Sequence, residues 1–321
     1  MKSAERSLRR LARGGLLSHA SALAGLFVGM LLVASALAQL PPAPVEFHHI
    51  HGLALDRRDP EVLDVATHTG LVRLRPNAAP EWAGSFFDLM GFTAHPTEAG
   101  LLFASGHPDL ATYREQKVGN LGLLVSRDGG RTWRSVALQG AADFHALAYH
   151  PGNGGELYGW SVAERPGLYR IPTTSWVAEP IRAVRLVDVL ALAASPDPGG
   201  PLLAGTKTGL FVSRSRGATW ARVETISTAP VTALAYHATD GRVAYLYLAP
   251  PGSGLLRSRD GGSAWEAVNG AVPAGSVAVA LAVGPGDHVV VATSKADILR
   301  SRDGGRTWKP VLEQGRPVSR P

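Results

Sequence analysis

The sequence contains no cysteine and only three methionines among its 321 residues. The absence of cysteine excludes disulfide bonds and thiolate metal ligands, so the folded chain must be stabilised by packing. Any metal site must be built from histidine, methionine or carboxylate side chains. Eleven histidines are present, ten of them after residue 38, so histidine is the main candidate ligand.

The chain has little that suits a membrane span. Its N-terminal apolar run, residues 22–34, is too short to cross a bilayer comfortably. This run follows five basic residues and precedes the small-residue triplet Ala-Leu-Ala at 36–38, an arrangement typical of an export signal. We therefore expect residues 1–38 to be a cleaved signal peptide and residues 39–321 to form one domain. The mature protein is predicted to be periplasmic or secreted, with no stable membrane insertion.

An excess of charge of one sign is also missing from the mature chain. The whole sequence has a formal net charge of +6, but residues 1–38 hold five of the basic residues and one of the acidic ones. The remaining 27 basic and 25 acidic residues give a net charge of +2. This small balance provides no electrostatic reason for binding a polyanion, so we predict no nucleic-acid partner.

One octapeptide recurs along the chain. Clear or partly degenerate copies, from SRDGGRTW to SRSRGATW, occupy residues 126–133, 213–220, 258–265 and 301–308. Two more degenerate copies end at Trp82 and Trp176, and the six tryptophans lie 43 to 51 residues apart. Such a period is typical of propeller blades or helical arrays. The Asp-Gly-Gly sequence favours blades, because glycine accepts positive φ and Asp bonds nearby backbone in hairpin turns.

The octapeptide resembles the Asp box, or BNR repeat, SxDGGxTW, of sialidases and other β-propellers. This resemblance covers nearly all of the chain after residue 45. It implies an all-β fold, a six-bladed β-propeller of four-stranded antiparallel blades in the sialidase-like superfamily. In that family the box closes the turn between the third and fourth strands of a blade, away from the usual binding face. The resemblance therefore implies that Asp128, Asp260 and Asp303 are structural.

The resemblance to sialidases does not extend to their catalytic residues. Residues 169–172, YRIP, look like the arginine motif that opens sialidases, but they follow a repeat instead of preceding the first one. No arginine triad and no Tyr–Glu nucleophile pair stand at the blade starts. A different glycoside hydrolase is an alternative, in which Asp88 and Asp143 of adjacent blades form an acid and base pair. Whether the protein is an enzyme stays open, with a non-catalytic role favoured.

Alignment of the six copies predicts four short strands in each blade. The first strands are apolar and rich in small residues, as the crowded axis of a propeller requires. They are predicted at residues 50–55, 89–94, 144–149, 189–194, 231–236 and 278–283. Because strand direction alternates, the starts of the first strands and the loops between second and third strands share one face, here called the upper face. The ring closes either by side-chain packing or by residues 44–47 adding beside the last blade.

The histidines divide between the two faces. Those at the lower face lie where strands end or begin and are expected to serve turns; they are His95, His150, His237 and His288. The upper face receives His48, His49, His51, His68, His107 and His145. One aligned column of the first strands holds His51, Met90 and His145 in blades one to three. Two positions earlier, on the same side of each strand, stand His49, Asp88 and Asp143.

This arrangement predicts a transition-metal site at the axial mouth. The candidate ligands are His49, His51, His68, Met90, His107 and His145, with Asp88 and Asp143 as groups that orient the imidazoles. A histidine-rich set with one methionine and no cysteine suits copper best and zinc next. The expected function is metal handling or metal-dependent assembly. A small anionic ligand is an alternative, and so is a purely structural role for each histidine.

The loop at residues 107–120 is longer than its counterparts in the other blades, which makes it a candidate lid. It offers Tyr113, Arg114, Glu115 and Lys117 as a contact surface on the upper face. Photosystem assembly factors and sortilin-like receptors share the repeat that this sequence resembles. A protein-interaction propeller with a partner at the upper face is therefore a further hypothesis.

Overall fold

The computed structural model describes residues 45, 47–84, 86–182, 186–250, 254–268 and 272–318. They belong to one compact unit, and the predicted signal peptide at residues 1–38 lies outside them. The described residues form six antiparallel sheets, each built from strands that are consecutive in sequence. The first strands of neighbouring blades lie side by side in a closed ring. The six-bladed β-propeller predicted from the sequence is confirmed.

The first three blades have four strands each, and blade two also carries a helix. Blade one consists of β1 (Ile50–Leu55), β2 (Leu63–Thr67), β3 (Gly70–Leu74) and β4 (Glu81–Trp82). Blade two consists of β5 (Asp88–Ala94), β6 (Leu102–His107), helix α1 (Leu110–Gln116), β7 (Leu123–Ser126) and β8 (Arg134–Ala137). Blade three consists of β9 (Phe144–His150), β10 (Glu156–Ser161), β11 (Gly167–Pro172) and β12 (Glu179–Pro180).

The last three blades repeat this plan, with one extra strand in blade six. Blade four consists of β13 (Val189–Ala194), β14 (Leu202–Thr206), β15 (Gly209–Ser213) and β16 (Ala221–Arg222). Blade five consists of β17 (Val231–Tyr236), β18 (Ala244–Leu248), β19 (Gly254–Ser258) and β20 (Glu266–Ala267). Blade six consists of β21 (Ala278–Val283), β22 (Val289–Thr293), β23 (Ile298–Ser301), β24 (Lys309–Glu313) and β25 (Arg316–Pro317).

Helix α1 lies in the long upper-face loop of blade two. Its first turn is capped by Asp109, whose Oδ1 accepts from the backbone N–H groups of Ala111 and Thr112 at 2.8 and 3.0 Å. Lys117 ends the helix in a left-handed conformation, and none of the helical residues is buried. Within the described residues no helix is both long and apolar enough to cross a membrane.

The core is divided among the six interfaces between neighbouring blades. Each interface has its own apolar cluster, and each cluster includes one periodic tryptophan. Trp133 of blade two, for example, packs in the cluster that contains Ala54 and Leu71 of blade one. Trp82 of blade one packs in the cluster that contains Val290 and Leu312 of blade six. The regular spacing of tryptophan therefore reflects one anchor per blade interface.

The repeated turns, here called the DGG turns, lie on the lower face at residues 126–133, 258–265 and 301–308. In the first of them Ser126 Oγ accepts from the backbone N–H of Gly130 at 2.8 Å and donates to Asp128 Oδ1 at 2.8 Å. Hydrogen bonds from the Thr132 side chain and backbone lower the pKa of Asp128 to about 2. Gly130 has φ +88°, and a Cβ there would lie 2.3 Å from Leu71 Cδ2 of the preceding blade.

The other two aspartates of this class occupy the same position in their turns. Asp260 accepts from the side chain of Ser258 at 2.9 Å and from the backbone N–H of Ala264 at 2.9 Å. Asp303 accepts from Ser301 at 2.7 Å and from the backbone N–H of Thr307 at 2.9 Å. These carboxylates accept hydrogen bonds within their own turns.

The ring closes by side-chain contacts between blades one and six. Residues 45 and 47 form no strand, and no strand of blade one pairs with blade six in the described chain. Phe47 packs instead into the apolar cluster of this interface. On the lower face Glu61 accepts from Arg300 at 2.8 Å and from Arg302 Nε at 2.6 Å. Among the described residues the two blades are joined by side-chain packing; residues 44 and 46 of the other expected route lie outside the described chain.

We expect Glu61→Gln to destabilise the protein by about 2 kcal/mol at pH 7, because Arg300 is only 5% exposed and loses a charged partner. The hydrogen bond from Arg302 lowers the pKa of Glu61 from 4.5 to about 2, so its stabilisation is present above pH 4.5 and is lost as the pH falls towards 2. Denaturant unfolding at several pH values measures both effects.

The matched control is Glu266→Gln, since Glu266 also pairs with two arginines, Arg257 and Arg259, but within one blade. It should destabilise clearly less than Glu61→Gln. Equal losses in the two variants would show that the Glu61 contacts do not hold the closing interface together.

Candidate functional site

The column of residues predicted to face the axis coincides with an irregularity in every first strand. In blade one the pairing of β1 with β2 skips from Ile50 to Gly52, so His51 is a bulge residue. Bulges occur at the aligned positions of the other blades, which hold Met90, His145, Leu190, Thr232 and Val279. A β-bulge bends the strand and re-aims its side chain. All six residues are more exposed than the strand residues that follow them closely.

The upper mouth of the axis is a cavity of about 470 Å³. Its wall includes His49, His51, Met90 and His145. Beneath it the channel narrows to a space of about 80 Å³ between the bulges and apolar strand residues such as Leu53 and Phe92. His51, Met90 and His145 of the bulge column therefore face one common space, as the sequence predicts.

Asp88 lies at the centre of the histidine cluster. It is the first residue of β5 and stands directly opposite His107, the last residue of β6. Asp88 Oδ2 lies 3.1 Å from His107 Nδ1, and Oδ1 lies 2.8 Å from Nδ1 of His68 in blade one. One carboxylate thus links imidazoles of two blades.

A second carboxylate extends this arrangement to blade three. Asp143 Oδ2 lies 2.9 Å from His145 Nε2 and 3.4 Å from His107 Nε2. Burial acts to raise the pKa of Asp143, but hydrogen bonds and charge from His145 and His107 outweigh it and lower the pKa. The result is an alternating series of imidazoles and carboxylates across three blades, here called the His–Asp ladder; it runs through His68, Asp88, His107, Asp143 and His145.

One end of the ladder has the geometry of a metal site. His51, His68 and Asp88 each offer a ligand atom, and these atoms lie within 4.8 Å of one another. The rings of His51 and His68 meet edge to face with centroids 4.4 Å apart. His51 Nε2 is buried and has no hydrogen-bond partner among the described residues. Burial, followed by the charge of His68, lowers the pKa of His51 from 6.5 to about 4, so the ring is neutral at pH 7 and retains a lone pair.

The predicted site residues have different places in this cluster. His51 and His68 belong to the triad, and His49 lies beside it with its ring centroid 4.9 Å from that of His68. Met90 lines the mouth cavity outside the triad, while His107 and His145 form the further part of the ladder. Asp88, expected to orient imidazoles or to act as an acid or base, supplies one of the three triad atoms.

Three of the four lower-face histidines bond turn backbone, whereas His288 Nδ1 has no hydrogen-bond partner among the described residues. In His95, His150 and His237 the Nδ1 atom accepts the backbone N–H of the residue two positions further on, at 3.3, 3.0 and 3.2 Å.

The pairing of Asp88 with His107 was not predicted from the sequence. Its signal was present in the predicted hairpin, because a residue that opens β5 must oppose one that ends β6.

No known protein family matches the sequence, and no curated protein matches it either. Solved structures match it in fold. A GH74 xyloglucanase from Xanthomonas campestris has a TM-score of 0.52 and 19% identity, covering 81% of this chain and 40% of that one. YCF48 bound to D1 peptide has a TM-score of 0.50 and 14% identity, covering 78% and 77%. A chain of the nidogen/laminin complex has a TM-score of 0.59 and 9% identity, covering 79% and 95%.

These likenesses show the propeller fold alone, because one fold hosts many functions and the identities are low. This chain spans only two fifths of the xyloglucanase chain. The neighbours include a glycoside hydrolase and propellers described in complexes with other proteins or peptides.

The His51 ring should titrate with a midpoint near pH 4, because burial and neighbouring imidazoles disfavour its protonated form. Between pH 6.5 and 4 the unfolded chain binds a proton that the folded chain does not, so His51 makes the protein less stable as the pH falls through this range. Imidazole nitrogen NMR shifts, assigned with a His51→Gln variant, measure the midpoint. A midpoint near 6.5 would contradict the enclosed geometry.

Proposed function

We propose that this protein is an exported propeller of the Asp-box type that binds one transition-metal ion at the upper mouth of its axis, for metal handling or metal-dependent assembly. The observation that carries the proposal is the triad of His51, His68 and Asp88, with ligand atoms within 4.8 Å of one another. The buried Nε2 of His51, which lacks a partner among the described residues, gives the triad an unsatisfied ligand atom.

The chemistry of the triad suits a divalent ion with an open coordination position. Two imidazoles and one carboxylate are a common set of protein ligands, and a fourth position remains for water or a transferred ligand. Ligand atoms about 2.0 Å from a tetrahedral ion stand about 3.3 Å apart. His68 Nδ1 and Asp88 Oδ1 are 2.8 Å apart, so an ion bound by both of these atoms would require them to separate by about 0.5 Å.

Copper remains the favoured ion, with zinc second. Imidazole nitrogen binds both ions, and divalent copper is generally bound more tightly than zinc by such ligands. Met90 lines the same cavity, and its thioether is a ligand that suits monovalent copper. The sequence contains no cysteine, so no thiolate competes as a ligand for either ion.

The rest of the ladder supports the triad. His107 holds Asp88 Oδ2 at 3.1 Å, which directs Oδ1 of the same carboxylate towards His68. Asp143 is 7% exposed and lies 3.4 Å from the other nitrogen of His107. Partners of this kind commonly fix the orientation of metal ligands. We therefore assign His107 and Asp143 as positioning residues for Asp88.

A glycoside hydrolase is less well supported by this geometry. Catalysis by paired carboxylates requires a general acid whose pKa is raised. The pKa of Asp143 is lowered instead, and both Asp143 and Asp88 are engaged by His107. The carboxylates are better suited to hold imidazoles than to protonate a leaving group.

Purified protein should bind about one equivalent of Cu²⁺ or Zn²⁺ in calorimetric titration. His51→Ala and His68→Ala should each weaken binding by roughly 100-fold or more, because each removes one of three ligands. His237→Ala is the matched control, since it removes an imidazole from the lower face and should leave the affinity unchanged. Failure to bind either ion, or equal affinity in all variants, would refute the proposal.

Asp143→Asn and His107→Gln should weaken metal binding by about 10-fold while leaving one equivalent bound, because they disturb the orientation of Asp88 without removing a triad atom. The pH dependence of the dissociation constant separates positioning from ligation. A loss as large as that of His51→Ala would instead identify His107 or Asp143 as a ligand.

A protein partner at the upper face is a second candidate function. Of the seven large apolar side chains that are well exposed in the described chain, six lie in upper-face segments. Leu110 and Tyr113, 62% and 46% exposed, stand one turn apart on helix α1. Exposed apolar groups on one face are typical of interaction surfaces. Two of the fold neighbours are seen with a peptide or a protein partner, YCF48 with D1 peptide and the nidogen/laminin complex.

The double variant Leu110→Glu, Tyr113→Glu should abolish cross-linking to such a partner in the native compartment, because charge on α1 opposes an apolar contact. Val177→Glu is the control, since Val177 is 61% exposed in the loop between β11 and β12 on the lower face. Mass spectrometry of the cross-linked products compares the two. An unchanged pattern in the double variant would exclude α1 from the interface.

A further inference from the structure

The lower end of the axial channel contains a cavity that the upper site does not use. It has a volume of about 140 Å³ and is walled mainly by the ends of the six first strands. Most of its lining residues are alanine, leucine, proline or valine. Arg57 is the one charged side chain among these described lining residues. The lining includes no Asp, Glu or Lys.

Arg57 breaks the repeat at its position. The second residue after the predicted first strand is Arg57 in blade one, and in the other five blades it is Pro96, Pro151, Pro196, Ala238 and Pro285. Five blades therefore have a compact side chain at this position, while one has a guanidinium. Arg57 Nε donates to the backbone carbonyl of His95 in blade two at 3.0 Å, which anchors the side chain across the blade interface.

The Arg57 guanidinium is only partly paired by the described residues. Its Nη1 atom is enclosed and has no hydrogen-bond partner in the described part of the chain. Asp56 is the acid that acts on it, but Asp56 Oδ1 accepts from the backbone N–H groups of Arg58 and Asp59 at 2.8 and 3.1 Å. Burial lowers the pKa of Arg57, and Asp56 offsets this only in part. A guanidinium remains charged at any physiological pH, so its unpaired Nη1 favours an anionic or strongly polar partner.

The neighbouring imidazoles do not supply an acceptor. His95 Nδ1 accepts from the backbone N–H groups of Thr97 and Glu98, and His237 Nδ1 accepts from that of Thr239. Each neutral ring therefore carries its hydrogen on Nε2, which makes it a donor there. Burial lowers the pKa of both histidines, and Arg57 acts in the same direction. The two imidazoles beside the guanidinium thus offer N–H groups, and no Asp or Glu lines the cavity.

We propose that the lower end of the axial channel is a binding site for a small monovalent anion, chloride or a carboxylate ion of similar size, held by the Arg57 guanidinium. A single fixed positive charge in a cavity without acidic residues selects one negative charge. The volume of about 140 Å³ admits such an ion with a little water and excludes a large polyanion. The anion neutralises Arg57 and stabilises the convergence of the blades at this end.

Chloride titration of the purified protein tests the proposal. Thermal unfolding is followed while sodium chloride replaces sodium gluconate at constant ionic strength. Wild type should show a saturable rise of the unfolding midpoint by a few degrees, because an ion that binds only the folded state stabilises it. Arg57→Met should lose the rise. Arg58→Met is the matched control, because Arg58 is exposed and does not line the cavity, and it should keep the rise.

A direct measurement complements the titration and does not depend on the stability of a variant. Crystals of wild-type protein grown in bromide should show an anomalous peak beside Arg57. The absence of a saturable chloride effect in wild type, or an equal effect in Arg57→Met, overturns the proposal. A bromide peak without a saturable effect in solution also overturns it, because it reports binding at crystal concentration only. Neither outcome bears on the metal proposal, which concerns the upper mouth.

Discussion

The packing of one tryptophan into each blade interface is the interaction on which the rest of the structure depends. A four-stranded blade cannot bury its own faces, so its free energy of folding comes from stacking against two neighbours. Trp133, Trp220 and Trp308 each pack in the cluster that joins their own blade to the preceding one. The indole N–H of Trp308 also donates to the carbonyl of Gly305 in its DGG turn at 3.1 Å. The turn and the interface are therefore stabilised by the same side chain.

This packing sets the relative orientation of the blades, and the candidate site is assembled from three of them. Asp88 of blade two contacts His68 of blade one, and His107 of blade two contacts Asp143 of blade three. Polar contacts of 2.8 and 3.4 Å between separate sheets tolerate little rotation at either interface. The bulge at His51 adds a local requirement, since it directs this imidazole into the mouth. Site geometry thus follows from core packing as well as from the residues that form it.

The features that repeat were predictable from the sequence, and those that link blades were not. Periodic tryptophans and Asp-Gly-Gly turns indicated six blades, and alternating strand direction placed His51, Met90 and His145 at one mouth, where they lie. The bulges escaped prediction because a one-residue irregularity changes neither the apolar pattern nor the strand length. The position of Asp88 in the triad escaped it because the angle between blades decides which side chains meet. Ring closure through Glu61 and Arg300, 239 residues apart, carried no local signal.

A structure with six similar blades confines its chemistry to positions where the blades differ. The bulge column carries His51, Met90 and His145 on one side of the mouth but Leu190, Thr232 and Val279 on the other, so polar ligands converge in one half only. Residues that repeat serve the scaffold instead: the periodic tryptophan recurs in all six blades, and the DGG aspartates make the same turn in three of them. A residue that departs from its column without loss of the fold is available for binding. Comparison of equivalent positions within one chain therefore separates scaffold from site.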